Sequence, residues 1–109
     1  MINFEDWEKM DIRVGKIIYA ELHEKARKPM YKLKIDFGEE IGIKNAVAGI
    51  TEYYNAEELI GKVVVAIINL EPKTIAGFTS ECMTLGALDG DKFALLMPDK
   101  EVKLGSKIY

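Results

Sequence analysis

Asn69-Leu70-Glu71-Pro72-Lys73-Thr74-Ile75-Ala76-Gly77-Phe78-Thr79-Ser80-Glu81-Cys82-Met83 is the stretch on which the fold turns. It follows the strongest apolar run in the chain, Val63 to Ile68, which reads as a buried strand. Pro72 has no amide hydrogen to give to a ladder, so that strand ends near it. Gly77 permits a tight bend or a close backbone approach. A second strand is expected from Glu81 to Leu88. By itself this is a strand, a loop and a strand, with Pro and Gly serving turn geometry.

Toward the C-terminus, Asp89-Gly90 is a hairpin signal, Phe93 to Met97 returns, and Pro98 stops it. Gly105 and Lys107-Ile108-Tyr109 form a tail expected to pair with the body or with a partner. On the other side of the central strand, Asn55 is a good N-cap and Glu58 completes a capping box. Gly61 sits where a helix-ending glycine belongs. A short helix therefore precedes the strand Lys62 to Asn69, and Ile43 to Ile50 is the strand before that helix.

Tyr31 to Phe37 alternates cleanly: Tyr31, Leu33, Ile35 and Phe37 share one face, Lys32, Lys34 and Asp36 the other. The loop before it, His23 to Met30, carries Lys25, Arg27 and Lys28; His23 reads as an ordinary surface residue. Asp11 to Leu22 is a long strand whose alternation breaks after Gly15, which predicts a bulge or bend at that glycine. Asn3 caps a helix from Phe4 to Lys9, with Phe4 and Trp7 on one face. So short a helix is unstable alone and must dock on something; core packing is the expected role of Trp7.

The 109 residues suit one domain, 1–109, with short extensions at both ends. Hydrophobic residues make up 49% and charged residues 30%, the balance of a soluble globule rather than a disordered tail. Cys82 is the only cysteine, so an internal disulfide and a cysteine metal cluster are both excluded; it reads as a small buried residue. The N-terminal residues lack the basic start and apolar core of a signal peptide, and no run is long enough to span a membrane. A cytoplasmic protein is expected. The net charge of −3 disfavours general phosphate binding, yet Lys25, Arg27, Lys28, Lys32 and Lys34 fall within ten residues that contain no acid. Such a run is either a solvated face or one pole of a bipolar surface.

A bent strand, two more strands, a helix, a strand and a hairpin suit a mainly β OB-fold: a five-stranded Greek-key barrel with short helices at the N-terminus and between strands three and four. Several segments carry a family resemblance. They are Asn69-Leu70-x-Pro72-x-x-Ile75-x-Gly77-x-x-Ser80-x-x-Met83, Asp11-Ile12-Arg13-Val14-Gly15-Lys16-Ile17, Tyr31 to Gly38, and Tyr54-x-x-x-Glu58-Leu59-Ile60-Gly61-Lys62. In this order they resemble the tRNA-binding domain attached to some aminoacyl-tRNA synthetases, including methionyl-tRNA synthetase. Ala26-Arg27-Lys28-Pro29 looks closer to the free-standing, CsaA-type members.

The resemblance implies roles. Asn69 and Ser80 would offer hydrogen bonds to RNA, Lys32 and Lys73 would meet phosphates, and Met83 would form an apolar floor against a base. CsaA-type members are described as export-related chaperones, so Ile75 and Phe78 are candidates for holding unfolded or export-bound polypeptide. The family's free-standing members are homodimers, which makes Phe4, Trp7, Ile108 and Tyr109 interface candidates. The readings are thus a CsaA-like tRNA-binding protein with export-related chaperone activity, a tRNA-binding subunit acting in trans with methionyl-tRNA synthetase, or a peptide-binding chaperone without significant RNA binding. Glu71 and Glu81 flank the motif and would weaken RNA affinity if they face the groove.

No catalytic set emerges. There is no paired Cys/His spacing for a metal and no Walker-type phosphate loop. A Ser80–His23 pair has no third partner. Glu57 and Glu58 are explained by helix capping. Neither enzyme activity, metal nor cofactor is expected.

Overall fold

The computed structural model describes all residues, 1–109. Helix α1 (Phe4–Glu8) starts where Asn3 accepts a hydrogen bond from the Asp6 amide at 2.9 Å. Strand β1 (Ile12–Leu22) follows, then β2 (Tyr31–Asp36) and β3 (Ile43–Ala48). Helix α2 (Ala56–Leu59) carries the capping box: Asn55 Oδ1 accepts from the Glu58 amide, and Glu58 Oε1 accepts from the Asn55 amide. Then come β4 (Val63–Ile67), β5 (Lys73–Ile75), β6 (Phe78–Ser80), β7 (Met83–Thr84), β8 (Gly86–Asp89) and β9 (Lys92–Leu95).

The main sheet runs β3-β2-β1-β4-β7, with every pair antiparallel. A parallel bridge between Ala46 and Cys82 brings the end of the β6–β7 segment back to β3 and nearly closes a five-stranded barrel, as in an OB-like fold. The alternation of β2 gives the barrel much of its inner face: Tyr31, Leu33, Ile35 and Phe37 all point inward and are buried. With Ile17, Leu59 and Val64 they fill the barrel, and each such side chain contributes about 1.5–3 kcal/mol on burial.

Four expectations are corrected. The β1 bulge lies between Ile17 and Tyr19, where the β2 register shifts, and not at Gly15. Ile17 is buried while Ile18 is exposed and has no partner in the register, so Ile18 is the extra residue after which Ala20 returns to the core. Gly15 is small for another reason: a Cβ on it would sit 2.6 Å from Ile35 Cγ2 and Phe37 Cε1. The stretch after Pro72 is a hairpin rather than a loop, β5 pairing with β6 around an Ala76-Gly77 turn, so pairing resumes at Phe78 rather than Glu81. The strand expected over Glu81–Leu88 is split into β7, which pairs with β4, and β8, which pairs with β9. Trp7 is half-buried and α1 buries no residue, so Trp7 is not a core residue of this chain.

The tail pairs with the body. Val14 N donates to Ser106 O, Gly105 N to Val14 O and Ile108 N to Ile12 O, at 2.8–2.9 Å. This places both ends of the chain at the same corner of the barrel.

Candidate nucleic-acid interface

Register sets which side chains share the outer face. Lys32 on β2 stands beside Glu21 of β1 and Val47 of β3; Lys34 stands beside Tyr19 and Asn45. The Lys34 ammonium lies 6.0 Å from the centre of the Tyr19 ring, and the Lys32 ammonium lies 5.8 Å from that of Phe78. Such cation–aromatic contacts hold flexible lysines over ring faces.

Two connections border this face. The β1–β2 loop is closed by His23 N donating to Met30 O, and it presents Lys25, Arg27 and Lys28 to solvent. His23 is buried, not a surface residue, and this corrects the sequence reading. Its Nε2 donates to Ile75 O at 2.7 Å, and its ring tilts against Phe78 with centroids 6.1 Å apart. The basic loop and the β5–β6 hairpin are therefore joined. Between them lies a depression of about 250 Å³ lined by Glu21, Lys25, Lys32 and Phe78. No feature of the sequence around His23 announces this contact, because its partner is 52 residues away.

On the other side of the hairpin is a second recess, of about 230 Å³, whose walls include Val47, Leu70, Ile75 and Met83. Lys73, Ser80, Glu71 and Glu81 border it. Ser80 Oγ accepts from Val47 N at 3.1 Å and donates to Cys82 O at 3.2 Å, so it helps to close the barrel. Glu81 Oε1 accepts from Asn45 N at 3.0 Å. Burial pushes the Cys82 thiol up to about 12, the neighbouring Glu81 charge adds to this, and Lys44 offsets it in part.

The structure thus gathers Lys73, Ile75, Ser80 and Met83 at one recess, with Lys32 and Phe78 at the adjoining one. Asn69 stands apart from both. Its Oδ1 accepts from Asp11 N at 2.9 Å and its Nδ2 donates to Lys9 O at 2.7 Å, pinning the exit of α1 to the end of β4. Phe4 and Tyr109 are exposed and Trp7 and Ile108 half-buried, at the corner where the chain ends meet. Val47 and Tyr19 belong to the face but lie outside every quoted motif; only strand register brings them there.

A nearly closed OB-like barrel whose β2 lysines lie beside Tyr19 and Phe78, flanked by the β1–β2 loop and the β5–β6 hairpin, has the architecture of oligonucleotide-binding OB-folds. The chain belongs to the tRNA-binding domain family: the family described as "Putative tRNA binding domain" matches residues 12–107. Methionine–tRNA ligase of Pyrococcus abyssi is 50% identical over 107 residues, 98% of this chain and 14% of that protein, so the chain spans about one-seventh of this relative's length. The CsaA chaperone protein of Picrophilus torridus is 49% identical with a TM-score of 0.93, covering 100% of both chains. A MetRS-related protein from Pyrococcus horikoshii is 30% identical with a TM-score of 0.89, covering 100% of this chain and 98% of that one. The domain so identified is of the tRNA-binding class.

Proposed function

We propose that the chain is a non-catalytic, CsaA-like tRNA-binding protein of the cytoplasm, and that it grips tRNA on the β2–β3 face. The observation that carries this reading is the gathering of Lys32, Lys73, Ser80 and Met83 on one side of the barrel, beside the basic loop. Lys32 and Lys73 meet phosphates. Phe78 and Met83 offer apolar surface to unpaired bases, the usual targets of sequence-tolerant RNA binding. Asn69 acts on the same side of the chemistry only indirectly, by fixing α1. The test is an anisotropy titration with total tRNA at two salt concentrations, repeated with Lys32→Ala. Affinity is expected to fall with salt, by a log–log slope of about −0.7 to −0.9 per phosphate met, and to fall further in the variant. Binding that ignores salt would defeat the reading.

Export-related polypeptide binding is the second reading. Ile75, Phe78 and Met83 place partly exposed apolar groups on the same face, and flexible Met adapts to varied side chains. Unfolded polypeptide is then expected to displace tRNA, and Phe78→Ala to weaken that competition. Action in trans with methionyl-tRNA synthetase would appear instead as co-purification with that enzyme.

The proposed protein is a homodimer joined at the corner where its ends meet. Ile2 is 64%, Phe4 70% and Tyr109 95% exposed, and a second copy would cover them. Sedimentation of the pure chain at micromolar concentration is expected to give twice the monomer mass, and Phe4→Ala with Tyr109→Ala to shift it toward the monomer.

A further inference from the structure

The recess between β3 and the β5–β6 hairpin holds an anion where a phosphate-binding groove would hold none. Glu81 lines it, half-buried. One carboxylate oxygen, Oε1, is fixed by the Asn45 amide at 3.0 Å; Oε2 makes no hydrogen bond or ion pair within the chain. Val47, Leu70, Ile75, Cys82 and Met83 supply its apolar wall, and Glu71, Lys73 and Ser80 complete the lining. A dry cavity of about 150 Å³ takes one benzene ring, so about 230 Å³ has room for a two-ring base.

Resting on the tRNA-binding reading above, we propose that this recess takes a single unpaired guanine, read by Glu81. An ionised carboxylate only accepts, and it retains lone pairs on both oxygens after the Asn45 contact. The Watson–Crick edge of guanine presents two adjacent donors, N1–H and the N2 amino group, which match the carboxylate fork. Adenine and cytosine each present one donor next to a ring-nitrogen acceptor, and uracil presents one donor between two carbonyls. Each would set an acceptor against the carboxylate. A phosphate is repelled outright and is left to Lys73 at the rim. Met83, 47% exposed, lies along the side where a base would enter. The Asn45 bond holds the carboxylate in place before the base arrives, which lowers the cost of ordering it.

The test is a competition of labelled tRNA with four single-stranded RNA pentamers, UUGUU, UUAUU, UUCUU and UUUUU, at one salt concentration. UUGUU is expected to compete about tenfold more strongly than UUAUU, since a bidentate contact discriminates by about that factor or more. In Glu81→Gln, whose amide can keep the Asn45 bond but brings a donor to the edge, the guanine preference is expected to vanish while Lys73→Ala weakens all four pentamers alike. Four equal affinities in the wild-type protein would overturn the guanine site and leave tRNA binding standing. Absence of tRNA binding itself would remove both. Displacement by a basic peptide that is sensitive to Glu81→Gln, with pentamers indifferent to it, would assign the recess to polypeptide and overturn the proposal.

Discussion

His23 Nε2 lies 2.7 Å from the carbonyl oxygen of Ile75, and this one bond ties the basic β1–β2 loop to the β5–β6 hairpin. A carbonyl only accepts, so Nε2 carries the hydrogen. The histidine is 5% exposed, so its loss leaves a partly buried carbonyl without its donor. His23→Ala is expected to cost about 1–3 kcal/mol, read as a lower urea midpoint at unchanged slope. It should also weaken tRNA binding, because Lys25 and Lys32 no longer face a positioned Phe78. Unchanged stability would show that the loop is held by other contacts.

Asn69 carries two backbone bonds across 58 and 60 residues. Asn69→Ala is expected to lower stability by about 0.5–1.5 kcal/mol, modest because both freed groups can reach water. The sharper signature is faster hydrogen exchange in α1, whose tie to the end of β4 is then loosened. A loss of RNA affinity with α1 equally protected would instead assign the side chain to the ligand.

Ala76 has φ = 48°, the left-handed region, at the tip of the hairpin. Two-residue turns of this kind favour Asn-Gly, because Asn tolerates positive φ better than Ala. Ala76→Asn is expected to stabilise the protein by about 0.5–1 kcal/mol, measured as a higher urea midpoint. A lower midpoint would show that the Ala76 methyl group is needed in the depression it lines.

Cys82 is 3% exposed, and its thiol is pushed up to about 12 by burial first and by Glu81 second. The thiol is therefore expected to resist alkylation at pH 8 in the native state and to react at once in denaturant. The sign for stability follows from proton counting. Above the ordinary value of 9.0 the unfolded chain loses this proton while the folded chain keeps it. Folding stability should then fall between about pH 9 and pH 12, by up to about 1.4 kcal/mol per pH unit. Subtracting the same curve for Cys82→Ala isolates this contribution from the lysines and tyrosines.

Local rules made most of the barrel legible in the sequence. Clean alternation marks Tyr31–Phe37 because a strand shows its side chains to two media, and both helix starts are marked by Asn caps whose partners lie three residues away. The family motif identified the tRNA-binding class because its residues occur in order along the whole chain. Tertiary structure alone decided the rest. The bulge could be assigned to Ile18 rather than Gly15 only from the register with β2, and the smallness of Gly15 only from the approach of Ile35 and Phe37. The distant contacts of His23, Asn69 and Glu81, 36 to 60 residues away along the chain, give each a backbone partner that only the fold reveals. Sequence periodicity reports which medium a side chain faces. It carries no record of which distant backbone group completes a hydrogen bond, and in this protein those bonds position the candidate site.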